Sequence, residues 1–137
     1  MEHSTEKQNK IDSVKIDFET DNILPGLNKE DLESLGKEDK PVLLKKNIID
    51  RNEKQHPDVG REEFQKMLGE ALYTPNIIIP EKNPLKSNYY HFVKYLDSVN
   101  FIALLEMSES KENYEIVHMQ KMNDKNIERL RRNKNNG

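Results

Sequence analysis

The chain has 137 residues, of which 34% are hydrophobic and 34% charged, with no cysteine and a net charge of -3. That length holds one small domain, and the missing thiols exclude disulfides, thiolate metal sites and cysteine nucleophiles. The sequence has no apolar run of about 18 residues, and its opening MEHSTEKQNK lacks the apolar stretch and cleavage site of a secretory signal, so neither a membrane span nor an export signal is expected and a cytoplasmic protein is.

In chain order, Ile11, Val14, Ile16 and Phe18 are the few apolar positions among the dense charge of the first 22 residues. This stretch reads as a mobile arm, with weak strand character only from Val14 to Phe18. Asn28 stands where a helix cap is wanted, and Leu32 and Leu35 form the apolar side of a short helix ending at Gly36. Lys37 to Lys40 is a charged connector, and Pro41 can open a strand, Val42-Leu43-Leu44, but not sit inside one. Asn47 to His56 reads as a helix stopped by Pro57, because a residue before proline is pushed out of the helical region. Gly60 opens a second helix, in which Phe64, Met67, Leu68, Ala71 and Leu72 carry the strongest 3.6-residue period of the chain; Pro75 ends it.

The period then changes. Ile77-Ile78-Ile79, bounded by Pro75 and Pro80, is a β-branched run too short for a helix. Tyr89 to Leu96 alternates Tyr89, His91, Val93 and Tyr95 against Tyr90, Phe92, Lys94 and Leu96. Phe101 to Met107 is nearly all apolar and should be a central strand. Tyr114 to Gln120 alternates Tyr114, Ile116 and His118 against Glu115, Val117 and Met119. A last helix from Asp124 to Arg132, gripped by Ile127 and Leu130 alone, is marginal without docking. Helices followed by a four-stranded antiparallel meander make an α+β fold, with the helices packed on one face of the sheet. The expected organisation is an acidic flexible arm with a short helix (1–40), an α+β domain (41–122) and a basic C-terminal helix or tail (123–137).

Charge is distributed unevenly along this organisation. Residues 1–40 carry 6 Lys against 11 Asp and Glu, whereas residues 121–137 carry 6 basic and 2 acidic side chains. An acidic head and a basic end suit either a tethered nucleic-acid binder or a pair of solvated termini. No HExxH, DxDxDG or phosphate-cradling glycine run occurs, and His3, His56, His91 and His118 have no short ligand spacing, so no metal and no cofactor are expected.

Dispersed polar residues remain as candidates. His56, at a helix C-terminus that favours a protonated imidazole, is a proton donor or simply a helix stop. His118, inside an otherwise apolar strand, is a hydrogen-bonded face residue or a site residue. His91, in an aromatic run, belongs to the core or to a stacking platform for unpaired bases. Arg51, Lys54, Lys94 and Lys121 can serve a phosphate or be surface charge. Together they suit metal-free RNA cleavage, which needs a base for the ribose 2′-hydroxyl, an acid for the leaving 5′-oxygen and cations for the phosphorane.

The segment Val42 to Ile49, then Asn52-Glu53-Lys54-Gln55-His56-Pro57 and the strands that follow, resembles phage-type members of the barnase–EndoU–colicin–RelE-like nuclease superfamily. The resemblance covers roughly residues 41 to 122. It implies a metal-independent, toxin-like endoribonuclease of phage or prophage origin, acting on RNA such as tRNA and held in check by an immunity or antitoxin protein. His56 would be the helix histidine and His118 the polar residue of the last strand, with Lys54 and Lys121 the basic residues nearby; the residue reading adds Arg51, His91 and Lys94 to Lys54 as substrate contacts, with His56, His118 and Lys121 as the catalytic set. The alternative is an inactive member of the same fold, serving as an RNA- or protein-binding accessory module.

Overall fold

The computed structural model describes residues 2–97 and 99–136, and the side chains of 7–97 and 99–132. The fold is α+β. Helix α1 (Glu2–Ser13) is followed by strand β1 (Asn22–Leu24), α2 (Lys29–Leu35), β2 (Val42–Leu44), α3 (Lys46–Gln55), α4 (Arg61–Tyr73), β3 (Ile77–Pro80), β4 (Tyr89–Tyr95), β5 (Asn100–Glu106), β6 (Tyr114–Met122) and α5 (Asp124–Asn136).

The sheet has six strands in the order β1-β2-β6-β5-β4-β3, not the expected four in an antiparallel meander. The meander is present as β3 to β6, every neighbouring pair antiparallel, with β5 and β6 at the centre. Two further strands extend it past β6. Strand β2 pairs with β6 in parallel, Val42 opposite Tyr114 and Leu43 opposite Glu115, and β1 pairs antiparallel with β2. The sheet is therefore mixed. A parallel partner lies far away in sequence, so nothing local to Val42–Leu44 announces it.

The expected mobile arm is instead packed. Val14, Ile16, Phe18, Leu24, Leu27 and Leu32 are all buried in the same core as α4 and the inner sheet face. Val14 to Phe18 alternates in burial but joins no strand. Its groups are held by α4: Gln65 accepts from the Ile16 N–H, and the Phe18 and Phe64 rings lie 5.9 Å apart. Helix α1 crosses α4 at Gly69, where a Cβ would meet Ile11 Cγ2 at 3.3 Å. The amino group of Lys10 reaches the carbonyls of Gly26 and Leu27 at 3.0 Å each. Dense charge hid this packing because the apolar residues are few, though all those described except Ile23 are directed inward. Each such side chain, fully buried, stabilises the fold by roughly 1.5–3 kcal/mol relative to exposure.

Local signals are met at the helix ends. Gly36 caps α2 in the left-handed region at φ 68°, Gly60 precedes α4, and α3 ends at Gln55 with His56 as its C-cap. Asn28 stands at the N-cap of α2 without capping it; its amide donates to the carbonyl of Tyr73. The Tyr73 hydroxyl in turn donates to the Pro25 carbonyl at 2.6 Å, and burial pushes its phenol above the usual range. Lys40, expected in a solvated connector, is buried. Its ammonium donates to the carbonyls of Ser108, Glu109 and Lys111 at 3.2, 3.0 and 2.7 Å and faces the Tyr114 ring, so it ties the lead-in of β2 to the β5–β6 turn.

The two sheet faces are covered unequally. The inner face, carrying Phe92, Phe101, Ala103, Leu105, Ile116 and Met119, packs into one large core with α3 and α4. On the outer face Ile79, Val93 and Ile102 form a small second cluster with Ile127 of α5, and Leu130 packs against its edge. Helix α5 thus forms along the expected stretch and docks, as an otherwise marginal helix must.

Candidate functional site

The seven nominated residues fall on both faces of the sheet, and a bulge in β6 decides which. Leu105 lies opposite Ile116 while Leu104 lies opposite His118, so Val117 is an extra residue on β6 and the register shifts there. Met119, not His118, therefore continues the buried face of Tyr114 and Ile116. The expected simple alternation is corrected by that one residue, since side chains alternate with a period of two and an insertion inverts every position after it. His118 is turned to the outer face, half-buried, opposite Leu104.

His56 is on the other side. Helix α3 packs onto the inner face through Ile48, Ile49 and the buried Asn52, and His56 ends that helix, half-buried. The sheet stands between the two imidazoles, so they form no common cleft. Arg51 and Lys54 share α3 with His56 and are exposed. Lys121 lies opposite Phe101, hence on the inner face and away from His118. His118 and Lys121 are not brought together.

Two nominated residues have internal partners. Lys94 donates to the Thr74 carbonyl at 2.9 Å and to its hydroxyl at 3.3 Å, at the C-terminus of α4. There its charge offsets the negative end of the helix and satisfies a carbonyl that α4 leaves open. It is a helix-terminus clamp, where sequence reading expected a phosphate ligand. His91 is buried and its Nε2 lies 2.9 Å from Glu81 Oε2. Partial burial draws the Glu81 carboxyl upward, but the hydrogen bond and charge of His91 outweigh it and hold the carboxyl below its ordinary value. The neighbouring Tyr90 and Phe92 pack into the main core, so this strand presents no open stacking platform there. Among the described residues, His91 Nδ1 and Asn52 Oδ1 are buried side-chain atoms without a hydrogen-bond partner.

On the outer face, His91, Leu104 and His118 form one cross-strand row. Two strand spacings separate the histidines, about 10 Å between backbones. His91 lines a small hollow of about 30 Å³ with Ile79, Pro80, Glu81, Lys82 and Leu130, beneath α5. A larger cleft of about 430 Å³ opens at the start of α5, between Tyr95, Leu96, Asn100, Asp124, Ile127 and Glu128. There the Asn100 amide donates to Asp124 at 2.8 Å. A third, of about 400 Å³, is lined by Gly36, Glu38 and Glu109. Neither His56 nor His118 lines any of these three. Among the described residues no group of three or more His, Asp or Glu is placed to hold a metal ion, and no helix is long and apolar enough to cross a membrane.

The profile of the family described as large polyvalent protein-associated domain 13 matches residues 7–134. The chain belongs to that family. No curated protein and no solved structure matches it. The family's span runs from within α1 to within α5, so the greater part of the first and last helices belongs to the matched region. A basic cluster that sequence reading did not single out lies on the last of those helices. Lys125, Arg129 and Arg132 are exposed along α5, on the side away from the buried Ile127. Their spacing of four and then three residues was the available signal.

Proposed function

We propose that this domain is a non-enzymatic accessory module of large polyvalent proteins, one that works by binding. The observation that carries the reading is the placement of His56 and His118 on opposite sides of the sheet. General acid–base cleavage of a phosphodiester needs both groups within reach of one phosphate. A group moved to the far face of a sheet cannot be recovered by a rotamer change. Support also comes from Lys94 and His91, two of the expected substrate contacts, which are engaged with Thr74 and Glu81. The cysteine-free chain suits a reducing cytoplasm.

The test is incubation of total RNA and purified tRNA with the full chain in EDTA. Intact RNA, beside a melting curve proving the protein folded, is the expected result. Products ending in 2′,3′-cyclic phosphate, and lost with His56→Ala, would restore the ribonuclease reading, with its RNA substrate and an immunity-type partner.

A further inference from the structure

Resting on the reading of this chain as a binding module, we propose that the outward side of α5 binds the phosphate backbone of a nucleic-acid strand. Lys125, Arg129 and Arg132 follow one another at i, i+4 and i+7. At 100° per residue they lie about 140–200° around the helix from Ile127 and span about 10 Å along it. Ile127 and Leu130 face the sheet, so docking fixes the stripe outward. Lys82, exposed beside Leu130, extends the cationic surface past the helix.

The stripe is without direct ion pairs. Of the two acids of α5, Asp124 accepts from Asn100 and Glu128 pairs with Arg131 at 3.2 Å, so neither bonds a cation of the stripe. Lys125, Arg129 and Arg132 form no ion pair among the described residues. Lys125 and Arg129, four apart, repel one another. The helix dipole accounts for cations in the last turn but disfavours one in the first, where Lys125 stands. A bound polyanion relieves both conflicts. The rest of the chain favours this one surface, because residues 1–120 carry 16 basic against 23 acidic side chains and repel a polyanion elsewhere.

The nature of the ligand follows from what the stripe lacks. A protein interface is anchored by apolar or aromatic side chains in a desolvated centre, and the exposed positions described on α5 carry only charged side chains, Asp124 and Glu128 among the cations. A membrane surface would need the apolar side of the helix, which is spent on the sheet. Guanidinium forks match phosphate oxygens in pairs, and without base-reading groups the contact is indifferent to sequence.

Anisotropy of a labelled 20-nucleotide single strand, and separately of its duplex, against the full chain at rising KCl tests this. With three phosphates engaged, log K should fall with log salt at a slope of about -2 for the single strand and about -2.7 for the duplex. The variant Lys125→Gln/Arg129→Gln/Arg132→Gln should bind at least about tenfold more weakly at low salt, with the slope near zero. Arg129→Gln alone should lower the single-strand slope by about 0.7, which keeps the test decisive if the triple variant loses α5. Wild-type binding by either variant, or no binding by the wild type at low salt, overturns the proposal. So does competition by polyglutamate as effective as by nucleic acid of equal charge, which would assign the stripe to an acidic protein. Cleavage of an RNA strand in the same assay would refute the non-enzymatic reading alone.

Discussion

The inner face of the sheet is covered by a core to which four helices contribute, and the outer face by one helix whose Ile127 rests on three buried strand residues. The inner side is built by the strands together with α1 to α4 and the 14–18 segment, and Gln65, Asn28, Tyr73 and Lys94 there are each bonded to backbone groups. On the outer side Glu115 and Glu106 pair with Lys45 and Lys111, Ile23 is 60% exposed, and α5 carries its cations to solvent. Packing demands fix the residues of the first side. They leave the second free to be specialised, and binding chemistry is to be sought where side chains are not already committed to holding the fold.

The largest effect should come from cutting the inner core. Phe101→Ala removes a ring that is 1% exposed at the centre of the sheet, and a loss of about 3–5 kcal/mol is expected in urea unfolding. Ile127→Ala, on the outer side, should cost only about 1–2 kcal/mol, because α5 can undock while the rest stays folded. Hydrogen exchange separates the two: Phe101→Ala weakens protection throughout, Ile127→Ala only in α5 and its contacts on β3 and β4. Global loss of protection in the Ile127 variant would show the two clusters to be one cooperative unit and erase the contrast.

These unequal faces also explain what was legible in the sequence. Helix α4 announced itself because Phe64, Met67, Leu68, Ala71 and Leu72 form a complete apolar stripe. Pro57, Pro75 and Gly36 marked boundaries through backbone constraints that need no tertiary context. Strands β3 to β6 were readable because they are consecutive and their pairing is local. Strand β2 was read as a strand after Pro41, but its partner lies some seventy residues on, so nothing local could place it, or the three-residue β1 beside it, in the sheet. Burial of Lys40 depends on three carbonyls of a distant turn. The site was the least legible part, since the face of His118 turns on a single bulge residue, Val117, which the alternation of the strand conceals.

A smaller effect lies in a part-buried polar pair on the outer side, His91 with Glu81. Glu81 is held below its ordinary carboxylate range by His91, so the folded state binds a proton there less readily than the unfolded chain. The pair's contribution is present above the unfolded value, about 4.3, and is lost as pH falls through the folded one. Melting temperature of the wild type should therefore drop more steeply below pH 4.5 than that of Glu81→Gln. Parallel acid profiles would show that Glu81 gains nothing from His91 in the folded chain.

The smallest expected effects are the most informative about function. His118 is half-buried on the sparsely covered face and His56 half-buried at a helix end, and neither is a member of either apolar cluster. His118→Ala and His56→Ala should each change unfolding free energy by less than about 0.5 kcal/mol. In a double-mutant cycle their effects should add, because side chains separated by a sheet share no partner. Additivity in stability alone fits any two distant residues, so the cycle is run on RNA integrity as well, where residues acting as one catalytic unit are grossly non-additive. Null effects on both readouts leave the histidines without a joint task. A coupling between them would mean that the sheet opens or that a second chain brings one face to the other, and the inner and outer sides would then have to be read as one site.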